Sequence, residues 1–168
     1  IFEHKGLYWS KVPGTKGATS VEPAEDYILP LGKAWLLQEI WKQEDVETAT
    51  IVTYGMGVHW AYNVTRELQD QVEIIDLRTL YPLDENTIMT SVKKTGKCLV
   101  VTEESSNNSF AMALAGKIQE ECFQYLDAPV MTIGSENMPA IPLNSTLEET
   151  MIPSTKKVRA KLEALLKY

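Results

Sequence analysis

Two glycines, Gly55 and Gly57, stand between a strand-like run and a helix-like run, where a dinucleotide site would begin. Asp76 follows 21 residues after Gly55, at the end of the next strand-like run. Two glycines and a distant acid make up most of a dinucleotide-binding fingerprint. The third glycine is missing, because Trp60 stands there and its side chain would block close packing of helix on strand. The pattern therefore favours a tight turn into a helix over an NAD site.

The other residues that could do chemistry give no catalytic constellation. Glu103 and Glu104 end a strand-like run, but adjacent residues in a strand point to opposite faces, so they do not form an acid/base pair. His4 and His59 have no second ligand three or four residues away, so neither predicts a metal site. His59 has a surface or packing role. We assign no catalytic, cofactor-binding or metal-binding residue to this chain.

Charged residues around the segment 76–84 predict a local structural role. Asp76, Arg78 and Asp84 can form an ion network that fixes this turn, which we favour over an anion clamp. Asp84 also suits the N-cap of the helix that follows, Gly96 is expected to end that helix, and Ser154 is expected to cap the last helix. The basic pairs at 93–94 and 156–157 fall on predicted helices and indicate solvated faces.

Composition limits the partners. The 168 residues carry 23 acids and 16 bases, a net charge of -7, which argues against nucleic acid and anionic membrane and leaves basic protein surfaces. No apolar run approaches the ~20 residues of a membrane helix. Cys98 and Cys122 are expected to be reduced and buried, which favours the cytoplasm, or the mitochondrial matrix in a eukaryote.

The body of the chain alternates between strand and helix patterns. Strands are predicted at 50–54, 72–77, 99–102 and 129–133, and helices at 58–69, 84–94, 110–122, 143–151 and 155–166. This alternation predicts an α/β fold, three layers in the order α/β/α, around a mostly parallel sheet of about five strands. Residues 5–32 are rich in glycine and proline and predict an extended arm. The first residue, Ile1, suggests a fragment of a longer protein.

Several motifs, in order, carry a resemblance to a known family. The segment 76–84, together with 53–55 and 30–34 upstream, resembles the C-terminal part of the β subunit of thiamine-diphosphate-dependent 2-oxo acid dehydrogenases, a transketolase C-terminal-like domain. Residues 2–8 resemble the end of the pyrimidine-binding domain that precedes it. The chain departs from the family pattern at Thr102, usually His, at 108–111, usually Gly-Gly-Phe-Gly, and at Ala113, usually Glu.

The resemblance implies a division of the chain and a role. Residues 1–32 would be the end of the pyrimidine-binding domain and a linker, and residues 33–168 the transketolase C-terminal-like domain. Thiamine diphosphate and magnesium would be bound by domains outside this chain, so the isolated chain would be inactive. The parent enzyme would decarboxylate a branched-chain 2-oxo acid or pyruvate and transfer the acyl group to lipoyl groups.

The resemblance also implies partners. This domain would build subunit contacts in a homodimer or heterotetramer and help to dock the dihydrolipoyl acyltransferase core. An acidic surface would suit a basic binding domain, and the end of the chain, from Glu163 to the Tyr168 carboxylate, is expected to form part of that surface. The candidate structural or interface residues are Asp76, Arg78, Asp84, Glu103, His59 and Tyr168.

Three alternatives remain open at the level of sequence. The chain could belong to another transketolase-like enzyme: a transketolase, a deoxyxylulose-phosphate synthase or a 2-oxo acid–ferredoxin oxidoreductase. It could be a free-standing nucleotide-binding α/β domain, against which Trp60 argues. It could also be a non-enzymatic acidic binding module.

Overall fold

A computed structural model of the chain describes residues 1–8, 21–41 and 45–168. The part of the predicted arm at 9–20 lies outside the described residues. The first residues of the predicted arm form a short 3-10 helix, Lys5–Tyr8, and residues 21–31 are all exposed. The strands are β1 Trp35–Gln38, β2 Ala49–Thr53, β3 Val72–Asp76, β4 Cys98–Ser105 and β5 Met131–Ser135. The α-helices are α1 Met56–Thr65, α2 Glu85–Thr95, α3 Phe110–Cys122, α4 Ser145–Met151 and α5 Thr155–Leu166.

The five strands form one sheet in the order β1-β3-β2-β4-β5. Strands β2 to β5 run parallel, with Thr50 opposite both Glu73 of β3 and Cys98 of β4. Strand β1 is antiparallel to β3 at the edge. From β2 the chain continues to β3, on one side of β2, and then crosses to β4, on the other side of β2. The direction in which successive strands are added therefore reverses between β2 and β4.

Alternating residues of the strands divide the core into two layers, as the side-chain period of two requires. Val52, Ile75 and Val100 face one layer, which α2 and α3 cover. Ile51, Ile74 and Leu99 face the other, which α1 and α5 cover. The predicted three-layer α/β/α architecture with a mostly parallel sheet is therefore confirmed.

The helix ends follow local signals in the sequence. The Asp84 carboxylate accepts from the Thr87 backbone N–H at the start of α2, and Gly96 ends that helix in the left-handed region at φ 78. Ser154 caps α5, as predicted, by accepting from the backbone N–H of Lys157. These termini agree with the sequence analysis because each cap depends only on neighbours within four residues.

Other boundaries differ from the prediction. Helix α1 covers Met56–Thr65 instead of 58–69, because Gly55, at φ 57, turns the chain into the helix earlier. Strand β4 continues to Ser105, well beyond the predicted 99–102, since Glu103 and Glu104 remain extended at the end of the sheet. Strand β1 was not identified as a strand at all.

A buried polar cluster lies beneath α2. The Glu73 side chain is fully buried on β3 and accepts from the Ile40 backbone N–H at 3.1 Å and from the Ser91 hydroxyl at 2.5 Å. Lys94 forms an ion pair with the same carboxylate. The prediction that the pair 93–94 forms a solvated face is therefore wrong for Lys94, whose charge is needed to balance a carboxylate inside the protein.

The two cysteines are free and buried, as expected: Cys98 at the start of β4 and Cys122 at the end of α3. Burial raises the pKa of the Cys98 thiol strongly, so it stays protonated. Among the described helices, none combines the length and the apolar character that crossing a membrane requires.

Candidate functional site

The carboxyl ends of β2, β3 and β4 bring together polar residues that are far apart in the sequence. The Gly55 turn follows β2, Asp76 ends β3 and Glu103 lies near the end of β4. His59 stands in the second turn of α1, and His4 reaches the same edge from the other end of the chain. Open α/β sheets bind their ligands at this edge, so we take it as the candidate site.

His4 is fixed to this edge by a contact across 99 residues. Its Nε2 lies 2.7 Å from the Glu103 carboxylate, and a Cβ built on Gly55 would stand 4.0 Å from the His4 ring. The His4 Nδ1 atom is buried and has no hydrogen-bond partner within the described residues. Sequence reasoning missed this pair, because nothing local in the chain relates residue 4 to residue 103.

His59 and Asp76 influence each other's charge. His59 is 9% exposed, and burial lowers the pKa of its imidazole, with the Asp76 carboxylate opposing the shift and His4 adding to it. Burial raises the pKa of the Asp76 carboxyl, against the stabilising effects of Arg78 and His59. The His59 side chain is therefore nearly buried at this edge of the sheet.

The predicted three-member ion network does not form as one unit. Arg78 pairs with Asp76, at 3.9 Å from Nε to the carboxylate, and its guanidinium lies 4.7 Å above the Trp35 ring. Asp84 instead accepts from the Ala34 backbone N–H at 3.1 Å and lies 4.0 Å from the Lys33 ammonium. The prediction is right for the Asp76–Arg78 pair and wrong in joining Asp84 to it, because Asp84 points towards the entry of β1.

Glu103 and Glu104 point to opposite faces, as predicted. Glu104 accepts from the Tyr54 hydroxyl at 3.1 Å and from the Ala111 backbone N–H at 3.0 Å. The protein's own carboxylate therefore occupies the positive end of α3. Burial raises the pKa of the Tyr54 hydroxyl; the hydrogen bond from Thr102 opposes this shift and the Glu104 charge adds to it.

Two of the departures from the family pattern have defined contacts. Thr102 donates to the Tyr54 hydroxyl at 2.9 Å, and Ser109 caps α3 by accepting from the Met112 backbone N–H. Ala113, where the family usually has a glutamate, is exposed. The loop is therefore held by this chain's own polar contacts.

Gly57, and not the position of Trp60, provides the close approach between helix and strand. A Cβ built on Gly57 would overlap the Thr53 hydroxyl oxygen and stand 3.2 Å from the Val101 backbone carbonyl. Helix α1 therefore packs tightly on β2 and β4 through Gly57. The expectation that Trp60 prevents close packing is wrong, since the contact lies one turn earlier.

The C-terminal end of α5 is attached to the sheet. Lys97, with a side chain 2% exposed, pairs with Glu47 and donates to the Leu166 backbone carbonyl at 3.3 Å. Tyr168 is 66% exposed beyond this attachment. In the expected docking surface, the end of α5 is therefore held in place by Lys97, and the aromatic side chain of Tyr168 is exposed.

The described residues form no cluster of metal-binding side chains. Within the described ranges, no three His, Cys, Asp or Glu side chains converge in a way that could hold a metal ion. No catalytic step on the implied cofactor is assigned to this chain.

Comparison with known proteins identifies the family. The family model described as "Transketolase, C-terminal domain" matches residues 40–158. The chain belongs to this family. The match starts at Ile40 and includes β2 to β5, α1 to α4 and the first turn of α5, so the whole carboxyl edge of the parallel strands is inside it, apart from His4.

Relatives of this transketolase C-terminal domain include dehydrogenase subunits. The chain is 36% identical, over its whole length, to the 2-oxoisovalerate dehydrogenase subunit beta of Bacillus subtilis, of which it covers 48%. It is 36% identical over 82% of its length to the pyruvate dehydrogenase E1 component subunit beta of Rhizobium meliloti, of which it covers 29%. The chain thus spans half or less of the length of these relatives.

A solved structure described as a split gene transketolase, inactive beta4 tetramer, supports the fold. It superimposes with a TM-score of 0.66 at 20% identity, over 86% of this chain and 44% of that chain. At this level of identity the likeness concerns the fold alone.

Proposed function

We propose that this chain is the C-terminal assembly and docking region of the β subunit of a thiamine-diphosphate-dependent 2-oxo acid dehydrogenase. The observation that carries the proposal is the 36% identity, over the entire chain, to a 2-oxoisovalerate dehydrogenase β subunit. The same relative favours a branched-chain 2-oxo acid as substrate over pyruvate.

In this proposal the chemistry belongs to other parts of the enzyme. Thiamine diphosphate supplies the electron sink for decarboxylation, and other domains hold it with magnesium. Residues 1–32 belong to the end of the pyrimidine-binding domain and its linker, residues 33–168 form the assembly domain, and the isolated chain is inactive.

The subunits form a homodimer or a heterotetramer in a reducing compartment, the cytoplasm or a mitochondrial matrix. The buried, free state of Cys98 and Cys122 supports such a compartment. Large apolar side chains are exposed along 27–31, including Ile28 at 84% and Leu31 at 77%, and subunit contacts would cover them.

The docking surface lies at the end of α5 and receives the dihydrolipoyl acyltransferase core. The net charge of -7 favours a basic binding domain, because complementary charge speeds encounter and sets the register of docking. Lys97 fixes the end of α5, so Glu163 is presented on a rigid helix, and Tyr168 follows two residues after the end of that helix.

The test is calorimetric titration of the intact protein with the subunit-binding domain of the cognate acyltransferase. We expect salt-sensitive binding, at least about tenfold weaker for Glu163→Lys, because a charge at the docking surface is reversed. Glu120→Lys makes the same charge change on α3, away from α5, and is expected to bind like the parent protein.

Each other outcome has a defined meaning. Equal weakening by both variants would show general charge attraction and would exclude the α5 surface. Absence of binding, in a protein that decarboxylates 2-oxo acids, would contradict docking while leaving the enzyme class intact. Turnover of ketose phosphates instead of 2-oxo acids would favour the transketolase alternative.

A further inference from the structure

The strand order predicts a ligand crevice in this domain. Open α/β sheets bind ligands outside the carboxyl ends of the two strands between which the order reverses, here β2 and β4. A cavity of about 490 Å³ lies there, bordered by Met56 and Trp60 after β2, Glu103 on β4, and residues 149 and 152–156. Its volume falls in the range of small-molecule sites, about 300–1,000 Å³.

Apolar side chains line the cavity, and hydrogen bonds hold one of its walls in place. Met56 and Trp60 are four residues apart on α1, so their side chains lie on the same face of that helix, and Ile152 lines the opposite side. The Lys157 ammonium fixes this side by donating to the backbone carbonyls of Thr150 at 2.6 Å and Ile152 at 2.8 Å. The junction of α4 and α5 is thereby held in place.

Charges of both signs surround this apolar body. Glu103 is oriented on one side, by His4 at its carboxylate and by the Ser135 hydroxyl, which donates to its backbone carbonyl at 2.6 Å. Glu149 and Lys156 stand on the other elements of the lining. Within the described residues, neither Glu149 nor Lys156 makes a side-chain hydrogen bond or an ion pair, so both charges are available to a ligand.

We propose that this cavity binds an apolar α-amino acid. The ammonium group pairs with Glu103 and Glu149, the carboxylate pairs with Lys156, and the hydrocarbon side chain rests on Met56 and Trp60. A dianion such as phosphate is repelled by the two glutamates. A simple amine leaves Lys156 without a partner, and a 2-oxo acid leaves the glutamates without one.

The test measures binding to the intact protein that carries this chain, by isothermal titration calorimetry. The probes are L-leucine, 4-methyl-2-oxopentanoate, isopentylamine and inorganic phosphate. We expect L-leucine to bind, and the oxo acid and the amine to bind at least about tenfold more weakly, because each lacks one charged group of leucine. Phosphate is expected not to bind.

Matched variants locate the site. Glu149→Gln and Lys156→Met are expected to weaken leucine binding at least about tenfold, whereas Glu148→Gln on α4 and Lys161→Met on α5 bind like the parent protein. Circular dichroism verifies that all four variants are folded.

Several results would overturn the proposal. They are absence of leucine binding, equal affinity for leucine and its oxo acid, binding of phosphate alone, and equal effects of the lining and control variants. Leucine that binds the 168-residue chain but not the intact protein would also overturn it, since the rest of the protein would then fill the cavity. The proposal does not depend on docking to the acyltransferase, and a failure of either leaves the other standing.

Discussion

Asp84 shows how one side chain joins two elements. Its carboxylate accepts from the backbone N–H of Thr87 at 3.3 Å and from the Thr87 hydroxyl at 2.9 Å, which begins α2. It also accepts from the Ala34 backbone N–H, which fixes the entry to β1. A single carboxylate thereby sets both the start of a helix and the position of an edge strand.

Asp84→Ala is expected to lower the free energy of unfolding by about 2 kcal/mol, because a helix cap and a partly buried hydrogen bond are lost. Urea denaturation of the two proteins measures the difference. Asn86→Ala, an exposed change in the first turn of the same helix, is expected to stay within about 0.5 kcal/mol of the parent. Similar losses in both variants would contradict the role of the cap.

The same carboxylate makes stability depend on pH. Burial alone would raise the pKa of Asp84, but the hydrogen bonds from Thr87 and Ala34 and the charge of Lys33 together hold it below the ordinary value. A carboxyl with a lowered pKa in the folded state stabilises the protein above the unfolded pKa, about 3.9, and loses this contribution as the pH falls further. Asp84→Asn should therefore flatten the acid limb of a stability–pH curve below about pH 5. An unchanged limb would contradict this assignment.

Residues whose partners are local were predictable, and those with distant partners were not. Asp84, Gly96 and Ser154 act on backbone groups within four positions, and each was identified from the sequence. His4 meets Glu103 across 99 residues, and Lys94 meets Glu73 across a helix and a strand. Only the folded chain reveals such pairs, because no local pattern distinguishes a lysine that pairs with a buried carboxylate from a solvated one.

At the scale of elements, the contact of α1 with β2 depends on a missing side chain. Gly57→Ala is expected to lower the free energy of unfolding by about 2 kcal/mol, because the added Cβ would overlap the Thr53 hydroxyl. Gly116→Ala is the control, since nothing lies within 4 Å of a Cβ at that position of α3. The control is expected to raise stability by about 0.5–1 kcal/mol, through the better helix propensity of alanine.

Thermal or urea unfolding measures the change in the free energy of unfolding for both glycine variants. Combining Gly57→Ala with Thr53→Ala should recover part of the loss, because the overlapping hydroxyl is removed and that oxygen has no hydrogen-bond partner within the described residues. Equal stabilities of the two single variants would disprove the close approach.

The junction between α2 and the segment after β1 depends on the ion pair between Lys94 and the buried carboxylate of Glu73. Lys94→Met is expected to lower the free energy of unfolding by about 3 kcal/mol, because Glu73 would keep a buried charge without its partner. Lys93→Met, at the neighbouring position, removes only a contact with the Tyr125 ring and is expected to lower it by about 0.5 kcal/mol. Chemical denaturation measures both, and similar values would argue against a buried pair.

The elements themselves were mostly predictable, with one informative failure. The parallel strands β2 to β5 each carry a β-branched or apolar run, and the helices between them have a clear period. Strand β1 has only four residues, lies at the edge and carries Trp35 and Gln38 on partly exposed positions. Its pairing with β3 is fixed by tertiary contacts and not by an alternation that can be seen in the sequence.

At the scale of the whole molecule, Lys97 connects the sheet to the last helix. Lys97→Met is expected to speed amide exchange in α5, lowering the opening free energy there by about 1–2 kcal/mol, because the Leu166 carbonyl loses its charged donor. Lys167→Met removes an exposed charge at the end of the same helix and should leave exchange unchanged. Hydrogen exchange by mass spectrometry distinguishes these outcomes; unaltered exchange in both variants would refute the attachment.

The fold class and family resemblance followed from the sequence because they depend on the order of many motifs. The composition of the candidate site did not, since it is assembled from both ends of the chain and from three strands. Asp76, Glu103 and His59 were singled out by sequence, but their neighbours His4, Trp60 and Lys156 were linked to them only by the fold.

The buried cluster around Glu73 also restricts how the strands can align. Thr50 on β2 stands directly opposite Glu73 on β3, and its hydroxyl contacts Ser91 at 2.7 Å. A slip of one residue between the strands would turn the Glu73 carboxylate to the other face, among the apolar side chains beneath α1 and α5. The misaligned sheet would hold an unpaired charge in hydrocarbon. The polar cluster thus favours a single alignment of β2 and β3 over alignments shifted by one residue.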